Sequence, residues 1–197
     1  RKASLNNGLL TVFGLVNIGV FGLPFLTLWI DKPWIPESYL VLLIALPGYF
    51  MAMLAGPANG LLAGTGRLKW VTAMTLIEAL CNVGLSIALV DRLGIHGVTL
   101  GMALPMFVFR GVLFPLVLRR EFNLKVREYW RIHARCLAVA LFYSLITAAL
   151  AFVPYRTFFE LFIGCVCSTG VFGVLVYFLV PEWRATMARL PLLRAFA

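Results

Sequence analysis

Apolar residues run along this chain in long blocks, and polar residues gather in short clusters between them. Six windows of about 18–25 residues are nearly free of charge, which is the length a helix needs to cross about 30 Å of hydrocarbon. They fall at Leu9–Ile30, Tyr39–Ala63, Trp70–Val90, Gly97–Leu118, Cys136–Val153 and Glu160–Val180. None shows the strict apolar/polar alternation of a membrane barrel. Hydrocarbon offers the backbone no water to bond with, so each window predicts a helix. The expected fold is an all-α, polytopic membrane helix bundle with six transmembrane helices.

Composition agrees with the pattern. The chain is 62% hydrophobic and 13% charged, with a mean hydropathy of +0.96. A soluble domain is nearer 45–50% apolar and about 25% charged. The first window is too long for a signal-peptide core, and no small-residue cleavage site follows it.

Charge then supplies an orientation. Thirteen of the 17 basic residues lie on one set of flanks: Arg1 and Lys2, Arg67 and Lys69, six in residues 119–135, and Arg184, Arg189 and Arg194. The alternate loops hold Lys32, Arg92 and Arg156, and Arg110 lies inside a span. The positive-inside rule predicts both termini in the cytoplasm. A net charge of +9 divided among membrane flanks forms no single basic face, which argues against nucleic acid as a partner. The layout becomes four spans over residues 1–118, a basic segment 119–135, two spans over 136–180 and a tail at 181–197. The opening at Arg1, without a methionine, predicts a piece of a longer protein.

Several signals lie within and between the spans. Small residues recur every fourth position at Gly48, Ala52, Gly56, Gly60 and Gly64, a spacing that lets a second helix press close. Glycines and prolines are dense in the first four spans, as in the broken helices that line transporter cavities, although membrane helices in general tolerate both. Thr75, Glu78, Asn82 and Ser86 share one helical face. A carboxylate in a span costs roughly 2.5–3.5 kcal/mol on insertion scales unless paired or wetted, so Glu78 marks a functional position by default. Arg110 offers the partner. Each lies eight residues from the basic end of its span, about 12 Å deep at 1.5 Å per residue. The two are expected to pair or to share one polar cavity, as a structural pair or as part of a path. Asn17 and Asn59 are further in-span polar groups, suited either to helix–helix hydrogen bonds or to that path. Residues 119–135 are amphipathic: Phe122, Val126, Tyr129, Trp130 and His133 fall on one face, with Arg120, Arg127, Arg131 and Arg135 opposite. This suits a helix lying at the cytoplasmic interface against membrane lipids. Arg67 and Lys69 read as interfacial anchors of the same kind.

No catalytic apparatus is legible. "AGPANGLLAGTGRLKW" (residues 55–70) has the glycines of a phosphate loop. Counted from Gly60, however, the sixth position is Thr65 where the motif needs its second glycine, and no Lys-Ser or Lys-Thr follows. The pattern G-x-G-x-x-G fails at Lys69. No H-E-x-x-H or G-x-S-x-G occurs, and neither His96 nor His133 falls in a span. Cys81, Cys136, Cys165 and Cys167 have no spacing that suits a metal site. The expectation is a non-enzyme without metal or cofactor.

The stretch "GLLAGTGRLKWVTAMTLIEALCNVGLSIALVDRLGIHGVTLGMALP" resembles the second-lobe signature of prokaryotic polysaccharide flippases. These belong to the multidrug/oligosaccharidyl-lipid/polysaccharide exporter superfamily. The matching features are the small-rich turn Gly64–Arg67, Asn82 ahead of an aliphatic run to Val90, and the turn at Gly94, Ile95, Gly97 and Val98. The likeness spans about residues 55–130. It implies the C-terminal part of a MATE-like, two-lobe transporter of 12–14 helices in the bacterial cytoplasmic membrane. Such a protein moves a lipid-linked oligosaccharide by alternating access, and here its N-terminal lobe would be the missing partner. Glu78, Asn82 and Arg110 would then line or gate the path, with Asn17 and Asn59 beside it. The alternatives are a drug/cation antiporter half, a membrane-embedded enzyme and a non-catalytic six-span subunit.

Overall fold

A computed structural model describes residues 2–180 of the chain. Its helices are α1 (Lys2–Ile30), α2 (Ile35–Leu54), α3 (Gly56–Gly64), α4 (Leu68–Leu93), α5 (Ile95–Val108), α6 (Phe114–Phe122), α7 (Val126–Ala151) and α8 (Phe158–Leu179). A π-helical segment, Phe109–Leu113, joins α5 to α6. Taken together, α2 with α3 and α5 with α6 form single spans, so six helices are long and apolar enough to cross a membrane. The chain is an all-α helix bundle and reads as a multi-pass membrane protein.

Where a span is interrupted, a proline is responsible. Pro57 follows the break between α2 and α3 and brings no N–H for the Met53 carbonyl one turn back. The Asn7 side-chain amide, from α1, donates to that carbonyl at 2.6 Å. The chain reverses where left-handed backbone is available. Gly94, at φ +57°, turns α4 directly into α5. Asn123, at φ +54°, ends α6 before α7 begins at Val126.

The helices pack in the order α4, α5, α2, α1, with α7 and α8 both on α1. A core of Leu5, Leu9, Val12, Leu54, Cys136, Tyr143 and Val176 ties α1 to α2, α7 and α8. A second core, around Leu62, Met74, Phe114 and Leu118, closes the end where the basic turns gather. α4 lies at the rim, and Met74 is its one buried residue. Leu76, Leu80 and Ile87 stand 61–66% exposed along its outer face.

Two expectations need correction. The ladder of small residues does not seat a helix along its length. A Cβ at Gly48 would lie 2.9 Å from the Ala103 backbone, so α2 does press on α5 there, but Gly60 and Gly64 meet nothing within 4 Å. The closest approaches to backbone are instead at Gly97 and Gly101, where a Cβ would run into Leu89 and Ser86 of α4. The segment 119–135 is not one interfacial element. Residues 119–122 finish α6, and Val126–Arg135 are the first turns of a 26-residue helix that continues to Ala151. Its faces fall as expected, with His133 buried and Arg127, Arg131 and Arg135 exposed. The tail at 181–197, with three of the basic residues, lies outside the described residues.

Candidate functional site

Glu78 on α4 and Arg110 in the π segment meet as their matching depths suggest, with Nε donating to Oε2 at 2.8 Å. Their side chains are 12–13% exposed, so the charges are largely withdrawn from solvent and hold each other. The rest of the guanidinium fans outward: Nη2 donates to Thr75 Oγ1 at 3.3 Å, and Nη1 reaches Asn59 Oδ1 at 3.5 Å. One arginine thereby links α3, α4 and the α5–α6 span.

The backbone beneath Arg110 is unusual for a physical reason. In the π segment the Phe114 N–H donates to Phe109, five residues back, rather than to Arg110. The next residue is Pro115, which has no N–H to give. The Arg110 carbonyl is thus left without a donor from its own helix. The Tyr129 hydroxyl, from α7, donates to it at 3.1 Å. Such single-turn π segments often mark functional sites, because the added residue re-aims the side chains of the turn. Here the re-aimed residue is the span's arginine.

The other candidates divide. Asn59 joins the cluster. Asn82 does not: its Oδ1 lies 3.3 Å from the Ser86 hydroxyl, which also lies 3.2 Å from the Val98 carbonyl oxygen. The first contact lies within α4 and the second crosses the α4–α5 seam. Asn17 belongs to a separate network of α1, α7 and α8. Its amide donates to the Tyr143 hydroxyl at 2.8 Å, and its Oδ1 accepts from Ser168 at 3.0 Å. Tyr143 and Ser168 close the triangle at 2.5 Å. Neither residue stands out in sequence, since each is a neutral polar group within an apolar run.

The basic flank residues are also used unequally. Arg67 pairs with the Glu121 carboxylate at 2.9 Å, donates to the Glu121 carbonyl and lies 4.6 Å from the Phe122 ring centroid. Arg120 lies over Trp70 at 5.1 Å and Lys69 at 5.6 Å. These contacts join the α3–α4 turn to the end of α6. Arg131 makes a long, exposed approach to Glu128 at 3.8 Å, and Arg127 and Arg135 are exposed.

No family model, curated protein or solved structure matches the chain. The site must be read from its own chemistry. It contains no nucleophile activated by a base, and its reactive content is one ion pair in an apolar bundle. When closed, the pair neutralises itself. Its two halves are a guanidinium, which suits an anion, and a carboxylate, which suits a cation or a proton.

Proposed function

We propose that the chain is the C-terminal part of a transporter that moves a lipid-linked oligosaccharide across the bacterial cytoplasmic membrane. The carrying observation is the Glu78–Arg110 pair, withdrawn from solvent and seated on a π turn of the α5–α6 span. A buried pair adds little net stability compared with an apolar replacement, so its presence in a span calls for another use. On this reading the pair is a gate. Arg110 engages the phosphates that join lipid to sugar, Glu78 is released as it does so, and Asn59 and Thr75 steady the freed groups. The bare outer face of α4 is where an N-terminal lobe packs, and the pair lies on the opposite side of the same helix, against the α5–α6 span.

The resemblance over residues 55–130 supplies the substrate class, and the pair supplies the means of response. The test is translocation of lipid-linked oligosaccharide in membrane vesicles carrying the full-length protein. Glu78→Gln and Arg110→Gln are each expected to lower the rate at least tenfold at equal protein level. Wild-type rates for both single variants would overturn the proposal.

A further inference from the structure

Away from the ion pair, a concave and strongly basic surface lies at the turn between α6 and α7. α6 ends the span Ile95–Phe122 and α7 opens the span Val126–Ala151, so the turn stands at the bilayer surface. Asn123, at φ +54°, ends α6, and Lys125, in extended conformation, leads into α7. This short reversal brings Arg127 to the same cavity as Arg119, eight positions earlier. The cavity measures about 390 Å³ and is lined by Arg119, Asn123, Leu124, Lys125, Val126 and Arg127.

The lining holds three cations and no carboxylate. The neighbouring acids have other partners: Glu121 pairs with Arg67 at 2.9 Å, and Glu128 lies 3.8 Å from Arg131. Lys69 and Arg120, at the same end of the bundle, lie over the Trp70 ring. Arg119, Lys125 and Arg127 have no ion-pair or ring partner among the described residues. A cleft lined by one sign of charge concentrates its field on a counter-ion. Guanidinium forks match phosphate oxygens, and a lysine adds a point charge.

An apolar strip leads away from this cavity into the span. Val112 and Leu116 precede Arg119 by seven and three positions, which places them on its side of the helix. They stand 50% and 49% exposed, and Leu124 in the lining itself is 44% exposed. Cations at the bilayer surface and exposed apolar residues deeper along one helix face match a ligand with an anionic head and a hydrocarbon tail. A soluble phosphate compound would use the cations alone.

We propose that the α6–α7 turn binds an anionic phospholipid, with Arg119, Lys125 and Arg127 around its phosphate and an acyl chain lying along Leu116 and Val112. A zwitterionic head group brings its own cation to a cavity that already holds three, so the cavity selects against it. The site is separate from Arg110, which lies nine positions before Arg119, about 13 Å along the span at 1.5 Å per residue. The inference requires a chain that spans a membrane and does not depend on its being a flippase.

The test uses the full chain purified in an uncharged detergent. It compares retention of dioleoyl phosphatidylglycerol with that of dioleoyl phosphatidylcholine, which has the same chains and a head group without net charge. Wild type is expected to hold the anionic lipid at least about tenfold more tightly, since each basic residue near an anionic lipid surface is worth roughly fivefold. Arg119→Gln, Lys125→Gln and Arg127→Gln combined should abolish the preference. Lys69→Gln, Arg120→Gln and Arg131→Gln combined remove the same charge from the same end and should leave most of it. Excess glycerol phosphate should not displace the lipid. Equal retention of the two lipids by the wild type would overturn the proposal. So would equal loss in both triple variants, which would assign the preference to net charge, or displacement by glycerol phosphate, which would assign the cavity to a soluble anion. All six replaced side chains are exposed, and size-exclusion profiles matching wild type establish that each variant is folded.

Discussion

The bundle contains two polar networks, and they are built on opposite terms. Asn17, Tyr143 and Ser168 are neutral, sit where α1, α7 and α8 meet, and satisfy one another within a closed triangle. Glu78 and Arg110 are charged, sit between the rim helix α4 and a π turn, and spread contacts to Asn59 and Thr75 at 3.3–3.5 Å. A closed neutral triangle has one favourable arrangement and serves to fix three helices. A charged pair with longer outer contacts keeps hydrogen-bonding capacity that another ion could engage. The α1–α7–α8 side is thus closed by neutral hydrogen bonds, and the α4–α5 side holds the ion pair that the proposed function uses as its gate.

The largest effect should come from removing one charge. Arg110→Leu leaves the Glu78 carboxylate withdrawn from solvent and without a cation, and loss of one partner from a buried pair costs about 3–5 kcal/mol. Thermal unfolding in detergent should show it. Glu78→Leu combined with Arg110→Leu should recover most of that stability, because two apolar groups replace two compensated charges, while under the proposed function translocation stays lost. A double variant that transports at the wild-type rate would make the charged network as structural as the neutral one.

Next in size is Gly101→Ala. The added methyl runs into the Ser86 backbone, and overpacking of this kind costs about 1–3 kcal/mol. Since α4 carries Glu78 and α5 leads into Arg110, the variant should loosen the charged network and leave the Asn17 triangle intact. Gly60→Ala is the control, because nothing lies within 4 Å of the added methyl. Amide exchange on α4 and on α8 separates the two sides. Equal loss of protection on both would mean that the networks are one unit.

Tyr143→Phe should be milder. It removes the hydroxyl shared by Asn17 and Ser168, and hydrogen bonds between membrane helices are worth about 0.6 kcal/mol on average and up to about 1.7. Stability should fall within that range with translocation unchanged. A variant of normal stability that no longer transports would move the responsive region to the α1–α7–α8 side.

How much of this was legible follows from the kind of signal each feature leaves. The spans were readable because a helix in hydrocarbon must be apolar for its whole crossing, and their interior boundaries held to within a few residues. The exceptions were α1 and α7, which extend past their apolar windows over the polar starts Lys2–Gly8 and Val126–Arg135. A polar helical start leaves no hydropathy signal. The meeting of Glu78 and Arg110 was readable because depth is a one-dimensional quantity, counted from the end of each span. Which glycines seat a neighbour was not. Spacing shows that a close approach is possible, whereas the Gly94 turn decides that Gly97 and Gly101 receive it by folding α5 straight back on α4. The Asn17 triangle was half visible, since Asn17 stands out in an apolar run but nothing in sequence links it to residues 126 and 151 positions away.

The π turn was hidden for a related reason. Its register rests on a missing N–H at Pro115 and a hydroxyl from another helix, and neither alone implies it. This makes the smallest prediction the most specific. Tyr129→Phe removes the one donor to the Arg110 carbonyl and should cost about 1 kcal/mol, the net worth of a typical hydrogen bond. Pro115→Ala supplies a backbone N–H that can serve the Arg110 carbonyl in the π register, or the Gly111 carbonyl if the turn relaxes to α and Phe114 serves Arg110. Either way the carbonyl gains a donor within its own helix. In the Pro115→Ala background, Tyr129→Phe should then cost close to nothing, and the double-mutant cycle should return a coupling of about 1 kcal/mol between residues on different helices. A coupling near zero would mean that the tyrosine does not support the π turn, and the charged network would lose its link to α7.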